Sequence, residues 1–143
     1  MVRFLSLWVL ATVAVAQELP SPDTRYIADI ELQNSDQFVE LLQRASQLLV
    51  DGLVAQEDVP TVTFVLHGPV IRDLLRENYG SSRQAVDLAA SLTALQVVDI
   101  KVCETWLGKH GLDARQLQPF VETVSFAPGE LRRLKREKNY VDF

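Results

Sequence analysis

Cys103 is the residue of this chain whose type and position most directly suggest chemistry. It is the only cysteine among 143 residues, and it follows a short alternating segment, Asp99 to Val102, that has the pattern of a β-strand. Glu104 to His110 then has the pattern of a short helix ended by Gly111. A helix start presents unpaired N–H groups and a positive dipole end, which favour a thiolate. The position therefore predicts either a reactive thiol, as a nucleophile or sulfur carrier, or a small buried side chain.

His67 is the candidate partner of this thiol. It follows Val62 to Leu66, a nearly continuous apolar segment that predicts a strand buried on both faces. The carboxyl ends of parallel strands meet at one edge of a sheet, so His67 and Cys103 are expected on the same edge. There His67 would lower the thiol pKa or carry a proton, although a packing or capping role stays open. Glu104 either raises the thiol pKa by like-charge repulsion or positions the helix start.

Composition and spacing exclude several other kinds of site. A single cysteine cannot form an intramolecular disulfide, and neither His67 nor His110 forms a metal-ligand cluster with it in sequence. The glycines are scattered rather than gathered in a phosphate-binding loop, and no Ser-His-Asp or cysteine-protease signature is present. The formal net charge of −5 argues against a nucleic-acid partner held through phosphate contacts. We therefore expect no metal and no cofactor, and chemistry that rests on one thiol.

The N-terminal segment has the features of a secretory signal peptide. Arg3 supplies a positive charge, and the apolar segment from Phe4 to Ala16 is too short to span a bilayer comfortably. Small residues at Ala14 and Ala16 predict cleavage before Gln17, while an uncleaved membrane anchor stays open. Export would place the protein in the periplasm or another exported location, free of the membrane after cleavage. The expected organisation is a signal peptide at 1–16, an extended lead-in at 17–24 and one domain at 25–143.

Apolar periodicity predicts the elements that must position the thiol. Strands alternate with helices along the chain, in the order β-α-β-α-α-β-α-β-α. Such alternation predicts one α/β domain with a parallel or mostly parallel sheet and helices on both faces. The spacing of Ser81 and Gln84 predicts a capped helix start, and the residues from Asn139 to Phe143 are expected to form a short tail. The predicted strands lie at 25–32, 62–66, 99–102 and 120–126.

The order of these elements and several short motifs resemble the DsrE/DsrF-like proteins. The motifs are Leu66-His67-Gly68 at a strand end, Ile100 to Cys103 before a short helix, and Gly129 to Leu134 followed by Tyr140. The resemblance covers about residues 25–141. It implies a flavodoxin-like domain with a sheet of four to five strands, assembled into homo-oligomers such as trimers or hexamers. It also implies a sulfur relay, in which a cysteine after a central strand carries persulfide sulfur between proteins, and here that position is Cys103.

Two functions follow from these observations. In the first, the protein is a sulfur carrier or thiol-redox protein of the cell envelope that uses Cys103 as its persulfide or thiol centre. It would then exchange sulfur with a donor or acceptor protein, as a carrier or accessory protein more than as an enzyme. In the alternative, the protein is a non-catalytic oligomeric module for binding or structure, and its buried cysteine is incidental.

Overall fold

A computed structural model describes residues 24–54, 59–136 and 140–143. The expected signal peptide at 1–16 lies outside these residues, and so does the lead-in at 17–24 apart from Thr24. No helix within the described ranges has both the length and the apolar character needed to cross a membrane. The strands are β1 (Arg25–Glu31), β2 (Val62–His67), β3 (Val98–Cys103), β4 (Glu122–Val124) and β5 (Tyr140–Asp142). The helices are α1 (Ser35–Val50), α2 (Tyr79–Ala94), α3 (Glu104–Lys109) and α4 (Ala127–Arg136), with 3₁₀ turns at Pro69–Leu74, Arg76–Asn78 and Ala114–Gln116.

The strands form one five-stranded sheet in the order β4-β3-β2-β1-β5, and every neighbouring pair is parallel. The chain moves in one direction from β1 to β4 and then returns across the sheet to place β5 beside β1. Parallel crossovers are right-handed, so this return requires its helix, α4, to lie on the face opposite α1 and α2. The predicted α/β fold, with a parallel sheet and helices on both faces, is confirmed.

Side-chain alternation along the central strands divides the core between the two faces. Phe64, Leu66 and Ile100 point to one face and pack with the buried stripe of α1, which includes Phe38 and Leu42. Burial of such side chains from water is the main force that holds helices against a sheet. On the other face, hereafter the α4 face, the core is smaller and contains Val65, Cys103 and Ala127. The cysteine therefore belongs to the less extensively covered side of the sheet.

The segment at the C-terminus differs from the prediction. Tyr140–Asp142 is not a tail but the edge strand β5, which pairs in register with Arg25–Ile27 of β1. Phe143 continues inward, and its ring makes edge-to-face contacts with Tyr26 and Phe64 at centroid distances of 5.8 and 5.7 Å. Three residues are too few to show a strand periodicity, so a pairing partner far away in sequence determines their conformation.

The start of α2 also differs from the prediction. The helix begins at Tyr79 after Asn78, and the expected capping box of Ser81 and Gln84 does not form. Ser81 instead donates a 2.9 Å hydrogen bond to the Asn78 carbonyl. Ser82, which has non-helical backbone angles, is buried and donates a 2.8 Å bond to Asp73 Oδ1. A tertiary contact with the preceding turn thus replaces the local cap.

Candidate functional site

Cys103 lies where the carboxyl ends of the strands meet the first turns of two helices. It is the last residue of β3, it immediately precedes α3, and it pairs in register with Val124 of β4. On the α4 face it packs with Val65 and with Ala127, the first residue of α4. The residue is only 6% exposed, but it lines a cavity that opens to solvent. The structure thus has the strand, cysteine and helix junction that the sequence predicts.

Backbone N–H groups from both helices lower the pKa of the Cys103 thiol. Burial is the largest single influence and acts in the opposite direction, because desolvation disfavours the thiolate. The N–H groups of Ala127 in α4 and of Trp106 and Thr105 in α3 together outweigh it. The first turn of a helix leaves such N–H groups without carbonyl partners, and they stabilise a nearby anion. The Cys103 side chain makes no regular capping hydrogen bond with α3, so these groups act on the sulfur as nearby dipoles.

Two polar side chains hold the helix starts together beside the sulfur. Thr105 Oγ1 donates a 2.8 Å hydrogen bond to the Ser125 carbonyl, just before α4. This use of the hydroxyl proton leaves the side chain of Thr105 little capacity to stabilise a thiolate. Glu104 Oε1 accepts a 2.7 Å hydrogen bond from Thr123 Oγ1 of β4. Of the two roles predicted for Glu104, this hydrogen bond supports the positioning role, because it ties the first residue of α3 to β4.

His67 is a neighbour of Cys103 on the sheet but forms its hydrogen bond on the other side. β2 and β3 pair in register as far as Leu66 and Val102, the residues just before His67 and Cys103. The side chains of His67 and Cys103 therefore emerge next to each other on the α4 face. The axes of neighbouring strands are about 4.8 Å apart. His67 Nε2, however, is 2.6 Å from Asp29 Oδ1 on β1. Burial and the N–H groups of α3 and α4 are the main influences on the thiol pKa, and His67 is a neighbour that shares the cavity of Cys103 while its hydrogen bond goes to Asp29.

Asp29 fixes the orientation of the His67 ring and is the site residue that the sequence analysis did not find. It is 38 positions away from His67 in sequence, and only the parallel pairing of β1 with β2 brings the two together. The second ring nitrogen, Nδ1, lies 3.9 Å from Glu31 Oε2, beyond hydrogen-bond distance. A histidine held through one nitrogen keeps the other for proton exchange. Gly68 allows the sharp turn that follows, because its φ is +91° and a Cβ there would lie 3.0 Å from Glu31 Cγ.

A cavity of about 300 Å³ connects the thiol with the histidine pair. One wall is aromatic, because the Trp106 ring stacks on His110 at a centroid distance of 3.8 Å. The His110 ring also has Nδ1 at 2.8 Å from the Trp106 carbonyl, which holds the stacked pair at the end of α3. Phe126 lies on the rim and is 54% exposed. The main lining residues are Asp29, His67, Cys103, Trp106, Phe126 and Ala127.

The chemistry of this cavity is that of a thiol with a nearby imidazole and carboxylate. Within residues 24–54, 59–136 and 140–143, no group of three or more His, Cys, Asp or Glu side chains could hold a metal ion. Cys103 is a free thiol. The arrangement can stabilise a thiolate, expose it to a small reactant in the cavity, and exchange a proton through His67.

Comparison with solved structures supports the class of fold. The chain is similar to a protein of unknown function from Methanobacterium thermoautotrophicum, with a TM-score of 0.59 and 21% sequence identity. The match covers 85% of this chain and 100% of the other. At this identity the likeness shows the fold alone, which is a single flavodoxin-like α/β domain. No family model matches the sequence, and no curated protein sequence matches it either.

Proposed function

We propose that the protein is a sulfur carrier in which Cys103 accepts and releases a sulfane sulfur atom. The observation that carries the proposal is the position of Cys103 between the first turns of α3 and α4, whose N–H groups lower the pKa of its thiol despite its burial. Thiolates, not thiols, attack disulfide and persulfide sulfur. The open cavity beside Cys103 provides space for the reacting sulfur. The resemblance to DsrE/DsrF-like proteins in sequence motifs points to the same chemistry.

The transfer step requires no external oxidant or reductant. The Cys103 thiolate attacks the outer sulfur of a donor persulfide, R–S–SH, and forms a new S–S bond to it. The S–S bond of the donor breaks, and its electron pair leaves with the donor thiolate, which takes up the persulfide proton to become R–SH. Cys103 is left as a persulfide anion, whose outer sulfur is available to an acceptor thiol by the reverse sequence.

We propose that His67 carries the proton during this exchange, because it lines the same cavity as Cys103. Asp29 holds the ring through Nε2, and Nδ1 lies beyond hydrogen-bond distance of Glu31. The imidazole can take the proton from the persulfide and return it to the leaving thiolate, which has the higher proton affinity. His67 thus serves proton transfer, while the helix N–H groups stabilise the anionic sulfur.

The cellular setting belongs to the same proposal. The apolar N-terminal segment at 1–16 favours export to the cell envelope, in the periplasm or an equivalent compartment. The DsrE/DsrF-like motifs favour a homo-oligomer that exchanges sulfur with a donor or acceptor protein. In an oxidising compartment, the 6% exposure of Cys103 would limit its access to large oxidants, while the cavity would still admit a small persulfide.

Sulfur uptake by the folded protein tests the proposal. Wild-type protein and a Cys103→Ser variant are incubated with glutathione persulfide, and the intact masses are measured under native conditions. The expected product is wild-type protein heavier by one sulfur atom, about 32 Da, with no such species from the variant. A wild-type protein that takes up no sulfur, and whose thiol reacts with iodoacetamide only after unfolding, would show an incidental buried cysteine and overturn the proposal.

A further inference from the structure

A second cavity, of about 270 Å³, adjoins the cavity beside Cys103 along α4. Asp29 and Pro128 line both cavities, and the two cavities together are hereafter called the α4 groove. The α4 groove lies near the carboxyl end of β1, beside β5, and the direction in which successive strands are added to the sheet reverses between these two strands. Open α/β sheets bind ligands outside the carboxyl ends of the strands at such a reversal. The second cavity is lined by Asp29, Pro128, Leu131, Arg132, Lys135 and Asp142.

The charges along the α4 groove favour an anionic ligand. Its two carboxylates are already partnered, since Asp29 is 2.6 Å from His67 and Asp142 is 2.8 Å from Lys135. Arg132, by contrast, has no hydrogen-bond or ion-pair partner among the residues that the structure describes. A guanidinium group without a partner beside the apolar side chain of Leu131 and the ring of Pro128 is suited to pair with a carboxylate of a ligand.

The distance along α4 indicates the size of that ligand. Ala127, the first residue of α4, packs against Cys103, and Arg132 follows five positions later in the same helix. At about 1.5 Å of rise per residue, the separation along the helix axis is about 7.5 Å. A ligand that reaches both groups therefore carries a carboxylate several bonds away from its sulfur, as a thiol of tripeptide size does.

We propose that the α4 groove binds an anionic low-mass thiol of about tripeptide size, with its sulfur at Cys103 and a carboxylate on Arg132. Together the two cavities have the volume of a small-molecule site, which is typically about 300–1,000 Å³, and not the broad flat surface of a protein interface. The role of this thiol as sulfur donor rests on the carrier function proposed above. In that role its persulfide gives its outer sulfur to the Cys103 thiolate and leaves as the thiol, with its proton regained.

Binding of an unreactive analogue tests the groove without the transfer chemistry. The probe is S-methylglutathione, whose sulfur can neither receive nor give a sulfane atom, titrated against wild type, Arg132→Gln and Arg136→Gln by calorimetry. Arg136 is in the same helix but does not line the groove, so its variant loses the same charge elsewhere. We expect Arg132→Gln to raise Kd about three- to tenfold, the range for a partly exposed ion pair, and Arg136→Gln to change it less than about twofold. Absence of binding to wild type, or equal effects of the two variants, would overturn the groove proposal.

Sulfur uptake from two donors separates this proposal from the carrier function. The donors are glutathione persulfide and 2-hydroxyethyl persulfide, which has no carboxylate. We expect Arg132→Gln to slow uptake at Cys103 from the first donor about three- to tenfold and to leave the second unchanged. Uptake from both donors without dependence on Arg132 refutes the groove and leaves the carrier function standing. Binding of S-methylglutathione through Arg132, with no uptake from either donor, refutes the carrier function and leaves the groove as an anion-binding site.

Discussion

Removal of one backbone N–H group near Cys103 should raise the pKa of its thiol. Of the groups that lower this pKa, the N–H of Ala127 contributes most. Ala127→Pro deletes that N–H at the first position of a helix, where proline is well tolerated. The N–H dipoles of a helix start stabilise a nearby anion by about 0.3–1 kcal/mol at an exposed site and by up to about 2 kcal/mol at a partly buried one. Because the sulfur is buried beside a cavity that opens to solvent, we take about 1 kcal/mol, and we expect a thiolate-to-thiol ratio about fivefold lower at a given pH, seen as a higher pKa of the thiol.

Alkylation kinetics measure this shift directly because the protein has a single cysteine. The rate of reaction with iodoacetamide is measured from about pH 5 to 10, and its midpoint gives the pKa of the thiol. Ala127→Val is the matched control, since it adds a side chain of similar volume at this buried position and keeps the N–H. An unchanged midpoint in Ala127→Pro, with the fold intact by circular dichroism, would refute the role assigned to this N–H. So would an equal rise in the valine control.

Three further predictions concern stability and proton transfer. The pKa of Cys103 is lower in the folded protein than in the unfolded chain, so the thiolate stabilises the fold above the unfolded pKa, and this stability is lost as pH falls through the folded pKa. In urea denaturation, the free energy of unfolding of wild type should therefore rise relative to that of Cys103→Ser as pH rises from about 6 to 9. Asp29→Asn should slow sulfur uptake about tenfold or more by releasing the His67 ring, while the alkylation midpoint of Cys103 stays the same. A shifted midpoint would contradict the proposal that His67 transfers the proton and the helix N–H groups stabilise the thiolate. Phe64→Ala, in the centre of the sheet and fully buried, should lower the free energy of unfolding by about 3–5 kcal/mol in the same denaturation assay, and a loss below about 1 kcal/mol would contradict the assigned core.

The central strands and the cysteine junction were predictable because their signals are local. Val62 to Leu66 is apolar at nearly every position, and the structure buries all of these side chains. Cys103 is preceded by alternating residues and followed by a helix that ends before Gly111, whose φ is +66°. Such patterns follow from the period of a strand and from the conformations that end a helix.

The elements that the sequence pattern did not predict depend on contacts between segments that are distant in sequence. The strand β5 exists because β1 offers a free edge, and its three residues have no pattern of their own. The start of α2 is set by the hydrogen bond from Ser82 to Asp73, which competes with the local cap at Ser81. Neither contact can be read from the sequence pattern of the segment that it determines.

In the candidate site, too, the residues predicted from the sequence have local patterns, and the others are placed by contacts between distant segments. The pairing of Asp29 with His67 and the approach of Ala127 to the sulfur join segments that are 38 and 24 positions apart in sequence. The thiol and the histidine were predictable because each ends a recognisable strand. The carboxylate that orients the ring and the second helix that stabilises the anion were not, since both follow from the strand order.

A carrier must both accept and return sulfur, and one experiment on the native protein measures both steps. Wild-type protein is loaded with glutathione persulfide, separated from the donor, and mixed with excess glutathione, while intact masses are followed in time. The proposed carrier function predicts that Cys103 gains one sulfur atom near neutral pH and loses it to the acceptor thiol, with the protein folded throughout. A thiol that stays unmodified in the folded protein, or a bound sulfur that glutathione cannot remove, would contradict the proposal that Cys103 is a sulfur carrier.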